Sequence, residues 1–157
     1  MRLFIPFIAS LFIAFPAHAG DDLTARDGWS VTTTTKTFSA LVKDTRAAVK
    51  ANGMIVVTQA GPTAGAEKRG ITIPGNQVIG VFNNDYAVKI LDTSTAAMIE
   101  APIRMYVTEN DDGTATLSYK TPTTVFAPYA DEGGAALAIQ LDVLFTQISA
   151  DAGKNMD

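Results

Sequence analysis

The sequence predicts an α+β domain, with a mostly antiparallel sheet and two helices on one face, in the order β-α-β-β-β-β-α. Three observations carry this. Short runs rich in β-branched residues recur through the chain. Two segments, one early and one late, repeat apolar residues at helical spacing instead. Two amphipathic helices need a common apolar surface, and a sheet with one apolar face supplies it.

Residues 29–34 alternate and include Val31 and a run of Thr, which reads as a strand. Phe38, Leu41, Val42, Ala48 and Val49 then fall on one helical face. Thr35 or Thr37 can cap that helix at its start, and Gly53 can end it in a left-handed conformation. Residues 54–59 form the second strand. Residues 60–75 hold four Gly and two Pro around Glu67-Lys68-Arg69, a long connection with room for one helical turn. Residues 77–82 are the third strand. Residues 85–91 form a short helix that Asn83 or Asn84 can cap.

Residues 102–109 and 114–120 form a hairpin whose register can be derived. A three-residue loop, Asp111-Asp112-Gly113, pairs Val107 with Leu117 and Met105 with Tyr119. A loop one residue shorter or longer would set Val107 opposite a polar residue, and Gly113 suits the left-handed position that ends a three-residue loop. Arg104, Tyr106, Ser118 and Lys120 then share the face away from the main core. Residues 122–129 are irregular or briefly helical. The last helix covers 134–150, with a core stripe of Leu137, Leu141, Leu144, Phe145 and Ile148. Ala136, Ile139 and Val143 make a second stripe, either a subunit contact or one flank of a widely buried helix.

The N-terminus has the pattern of a cleaved signal peptide, residues 1–19. Arg2 precedes an apolar run over 3–15, and Ala17-His18-Ala19 places small residues where a signal peptidase reads them. The run is too short to span a bilayer as a helix. The expectation is a periplasmic or secreted single domain, residues 20–157, with no membrane span after cleavage. Cleavage removes His18, the one histidine, and the chain has no cysteine. It also removes Arg2, leaving 11 of the 12 basic residues against 16 acidic ones, a net charge of −5. That balance argues against nucleic acid as a partner.

The inventory excludes chemistry more firmly than it assigns any. Ser-His-Asp and Cys-His catalysis, zinc sites of Cys and His, His-ligated haem and Cys-ligated clusters all need residues the exported chain would lack. No glycine-rich phosphate loop ends in Gly-Lys-Ser/Thr. No catalytic residue, metal site or cofactor is therefore assigned. Asp85, Glu100 and Glu109 leave a carboxylate-only hydrolase as an alternative, which needs two acids in one cleft. Asn110-Asp111-Asp112-Gly113 groups carboxylates, but in a spacing that fits a turn and not a calcium loop.

Two binding candidates remain. The paired cation and phenol of Arg104 and Tyr106, with Ser118 and Lys120, can hold a carboxylate or another anion, or can simply keep a solvated sheet face from aggregating. Phe82, Met98, Met105 and Phe126 can line an apolar cavity between sheet and helices, or can be plain core.

Four stretches resemble the DUF302 family. They are Val78-Ile79-Gly80-Val81-Phe82-Asn83-Asn84, Ala101-Pro102-Ile103-Arg104-Met105-Tyr106-Val107, Asp112-Gly113 followed by Leu117-Ser118-Tyr119-Lys120-Thr121-Pro122, and Leu141-Asp142 in the last helix. The resemblance runs from Thr35 to Ile148. It implies a TBP-like α+β fold with a curved antiparallel sheet, commonly paired as a homodimer, and no established activity. Asn83 and Asp85 enter as binding candidates at the turn after the third strand, where Asn84-Asp85 departs from the Asn-Pro of many members. The expected function is non-catalytic binding of a small molecule or an envelope protein; a structural partner in an envelope complex is the alternative.

Overall fold

The structure is a computed structural model and describes residues 23–154. The expected signal peptide, residues 1–19, lies outside the described residues. The elements run β1 (Trp29–Thr34), α1 (Phe38–Ala51), β2 (Ile55–Ala60), α2 (Thr63–Glu67), β3 (Asn76–Phe82), α3 (Asn84–Thr93), β4 (Ile103–Glu109), β5 (Ala115–Lys120), α4 (Pro122–Phe126) and α5 (Ala135–Gly153). Short 3-10 turns occupy Ala96–Glu100 and Ala127–Glu132.

The five strands form one sheet in the order β1-β5-β4-β3-β2. Every pairing is antiparallel. Pairs across β4 and β5 include Met105 with Tyr119 and Val107 with Leu117, the register derived from the hairpin loop. Gly113 closes that loop at φ +81°, with Gly113 N–H donating to the Asn110 carbonyl at 3.0 Å. Asp112 is held there by the Thr114 hydroxyl and amide, which lower its pKa. Asp112 thus serves the turn itself.

One face of the sheet carries Ile79, Val81, Ile103, Met105, Val107, Leu117 and Tyr119 into the core. Leu41 and Val49 of α1 meet them, as do Leu141, Phe145 and Ile148 of α5. The Tyr119 and Phe145 rings lie 5.5 Å apart at 54°, a tilted pair worth about 1 kcal/mol beyond the area it buries. Thr37 caps α1 by accepting from Ala40 N–H, and Gly53 follows the helix at φ +73°. Thus two helices do cover one face, joined by α3 and α4 at the margins.

One expectation is met with added detail, and another changes. The connection over 60–75 holds α2 and is anchored at its end, where Glu109 N–H donates to the Gly75 carbonyl at 2.8 Å and Gly75 N–H donates to the Glu109 carboxylate at 2.6 Å. Phe82, Met98, Met105 and Phe126 do not line a ligand-sized cavity. Met105 and Phe126 are buried in the core, with Met98 packed against it. The space bordering Phe82 measures only about 20 Å³. Among the described residues no helix is long and apolar enough to cross a membrane.

Candidate functional site

The open face of the sheet carries the alternate residues of each strand. On β5 and β4 these include Lys120, Ser118, Arg104 and Tyr106. The pairings set Trp29 opposite Lys120, Tyr106 opposite both Ser118 and Val78, and Arg104 opposite Gly80. The next step of the β4–β5 register places Arg104 opposite Lys120. Two cations therefore stand as direct cross-strand neighbours on one face.

A groove of about 390 Å³ opens here, within the range of small-molecule sites. Trp29, Tyr106, Arg104 and Lys120 line it, with Asn76 and Val78 contributed by β3. Val125 of α4 and Glu100, just ahead of β4, complete the wall.

Each wall group is held by its own element. Asn76 donates its amide N–H to the Tyr106 hydroxyl oxygen, fixing the phenol. That leaves the Tyr106 O–H proton without an acceptor among the described residues. Tyr129 donates its hydroxyl to Glu100 at 3.1 Å. The same hydrogen bond raises the Tyr129 pKa, because ionising the phenol would break it and set two negative groups together. Val125 is positioned because α4 is pinned to α5: Asp142 accepts from Thr123 N–H at 3.0 Å and from the Thr123 hydroxyl at 2.7 Å. Pro122 and Phe126 bury the other side of α4.

Gly80, the β3 partner of Arg104, is a glycine because nothing larger fits between Thr58 and Pro102. A Cβ there would collide with the Thr58 hydroxyl and approach Pro102 Cγ to 2.9 Å. The chain from the 3-10 turn into β4 thus lies close over the sheet, with a cis bond between Ala101 and Pro102.

The cations are free of acidic partners. Among the described residues the ion pairs are Lys36–Asp44 and Lys154–Asp151, neither in the groove. The Lys120 ammonium lies 5.8 Å from the Trp29 ring centroid, and the Arg26 guanidinium 5.4 Å from it. The Arg104 side chain is exposed and has no hydrogen bond or ion pair among the described residues.

The structure brings together three of the residues picked out from sequence, Arg104, Tyr106 and Lys120. Ser118 shares their face but is fully buried, its hydroxyl turned to the Tyr106 carbonyl at 3.4 Å. Asn83 and Asp85 lie elsewhere. Asn83 caps α3 by accepting from Asp85 N–H at 2.8 Å and Tyr86 N–H at 3.3 Å, and Asp85 sits in the first turn of that helix. Ala136, Ile139 and Val143 are all exposed on the outer side of α5. The three acids of the hydrolase alternative are dispersed: Glu100 and Glu109 flank opposite ends of β4, about 20 Å apart along a strand of that length, and Asp85 is on α3. Among the described residues no three acidic side chains are grouped to hold a metal ion.

Trp29, Asn76, Glu100 and Val125 were not recognisable as groove residues from the sequence. Their signal is the pairing of β1 with β5 and of β3 with β4, and these long-range pairings leave no local pattern.

The architecture defines a small α+β domain, one antiparallel sheet with helices on one face and a groove on the other. The chain belongs to the DUF302 family, described as "Domain of unknown function DUF302", which matches residues 29–150. Among solved structures it is similar to the "uncharacterized conserved protein DUF302 from Bacillus stearothermophilus", with a TM-score of 0.73 at 15% identity, covering 82% of this chain and 100% of that one. No curated protein matches the chain.

Proposed function

We propose that this DUF302 domain is an exported, non-catalytic binding protein that holds a small molecule in the groove on the open face of its sheet. The observation that carries this reading is the groove itself. It combines about 390 Å³ of space, aromatic and aliphatic walls, and polar groups that have not been neutralised by one another. Sheet faces that merely meet solvent have no need of a walled concavity. Export is supported by Arg2, the apolar run and Ala17-His18-Ala19. The dispersal of Asp85, Glu100 and Glu109 speaks against the hydrolase alternative, since two-carboxylate chemistry needs both acids at one bond.

Native mass spectrometry of the protein expressed as the full precursor tests this. The expected spectrum shows a chain starting at Gly20 with an added small molecule. Val78→Trp fills the groove floor, and the added mass should vanish while the variant still melts cooperatively. A bare wild-type chain, or a Val78→Trp variant that retains the added mass, would overturn the reading.

A second reading, a protein partner or a homodimer, is favoured by Ile139 and Val143, which stand 59% and 70% exposed on α5. Large aliphatic side chains in a row on the outside of a helix suit a protein contact.

A further inference from the structure

We infer that the groove takes an organic anion: a carboxylate joined to a flat apolar group. This rests on the groove being a ligand site and adds the ligand's charge and shape.

The charge follows from the cross-strand placement of Arg104 and Lys120. Like charges directly opposite one another on a sheet destabilise it. The chain carries 16 acidic residues, so an ion-pairing partner for either cation was available in composition. None is placed there. The one carboxylate lining the groove, Glu100, accepts from the Tyr129 hydroxyl and forms an ion pair with neither cation, so the groove keeps two positive groups against one negative. Both side chains are exposed, so water screens part of their repulsion, and a bound anion would remove the rest. The third polar group agrees, since the Tyr106 oxygen accepts from Asn76 and its proton is left to donate to a ligand. A guanidinium fork, an ammonium and a phenol hydroxyl form a donor set for a carboxylate.

The shape follows from the remaining walls. Trp29 lies along the groove beside Lys120, and Val78 and Val125 are aliphatic. An inorganic anion would leave these surfaces wet. A planar apolar group would cover them and stack on the indole.

Trp29 is the only tryptophan, so its fluorescence reports on the groove alone. The exported chain is titrated with phenylacetate, with the neutral isostere phenylacetamide, and with the cation phenethylamine. Phenylacetate should bind about tenfold more tightly than the amide, the worth of a charge-assisted contact. Added salt should weaken phenylacetate and leave the amide unchanged. Arg104→Gln should erase the tenfold preference. Without ligand, that variant should melt at or above the wild-type temperature, because it loses no partner and relieves a repulsion. Equal or tighter binding of the amide or the amine would overturn the anion and leave the groove standing as a site. A ligand-free Arg104→Gln that melts clearly lower would show that Arg104 serves the fold and would overturn the charge argument. Silence from all three probes overturns the inference; silence together with an unliganded native spectrum overturns the site as well.

Discussion

Asp151, near the end of α5, is held well below the ordinary carboxylate range. Asn52 Nδ2 donates to it at 3.0 Å, Lys154 Nζ at 2.7 Å and Gln147 Nε2 at 2.9 Å. Asn52 contributes most, and together the three lower its pKa from 3.8 to about 2. A folded-state pKa below the unfolded one stabilises the protein above the unfolded value, and the benefit is lost as pH falls through the folded one. Urea denaturation of wild type and Asp151→Asn should therefore show wild type the more stable near neutral pH. The two should converge as pH drops from 3.8 towards 2. A gap that persists to the acid end would assign the effect to hydrogen-bond geometry instead of charge. Asn52 also donates to the Ala48 carbonyl at 2.9 Å, so this one side chain finishes α1 and reaches α5.

Elements were legible where a local rule dictates them. The hairpin register followed from Gly113 and the alternation of Met105, Val107, Leu117 and Tyr119, since a one-residue slip would turn an apolar face to solvent. Thr37, Asn83 and Gly53 marked helix ends through cap chemistry. The groove was half legible for the same reason. Arg104, Tyr106 and Lys120 share a hairpin, but Trp29 and Asn76 come from strands far away in sequence. Lys36 shows the limit clearly. It gave no signal as a residue between Thr35 and Thr37, yet its side chain is buried, pairing with Asp44 at 2.6 Å and donating to the Ala152 carbonyl at 2.8 Å. It joins the β1–α1 turn to α1 and to the C-terminal end of α5, where orphan carbonyls favour a cation. Removing one partner of a buried pair strands the other. Lys36→Ala should cost about 3 kcal/mol in chemical denaturation, while Lys36→Met with Asp44→Leu should recover most of that loss.

For the molecule as a whole, the sheet separates two surfaces of different character. Its open face has the groove, with cations and aromatics. Its other face is sealed by α1 and α5, and the outer side of α5 presents Ala136, Ile139 and Val143. The sequence left that stripe as either core or contact. Exposure of 59% at Ile139 and 70% at Val143 means the isolated chain gains little from burying them. A charge at Val143 should then alter association without altering the fold. Val143→Asp should change monomer stability by no more than about 0.5 kcal/mol, the ordinary range for a surface substitution. If α5 pairs two copies, light scattering on wild type should give the dimer mass and the variant half of it, because an unpaired carboxylate in an apolar contact must be desolvated. A variant that unfolds would place Val143 in the core. A wild type that is monomeric at every concentration would remove the homodimer and leave α5 open to a different protein. The groove lies across the sheet from this helix, so phenylacetate binding should be the same in wild type and Val143→Asp. Loss of ligand on breaking the contact would instead mean that the second copy helps to build the site.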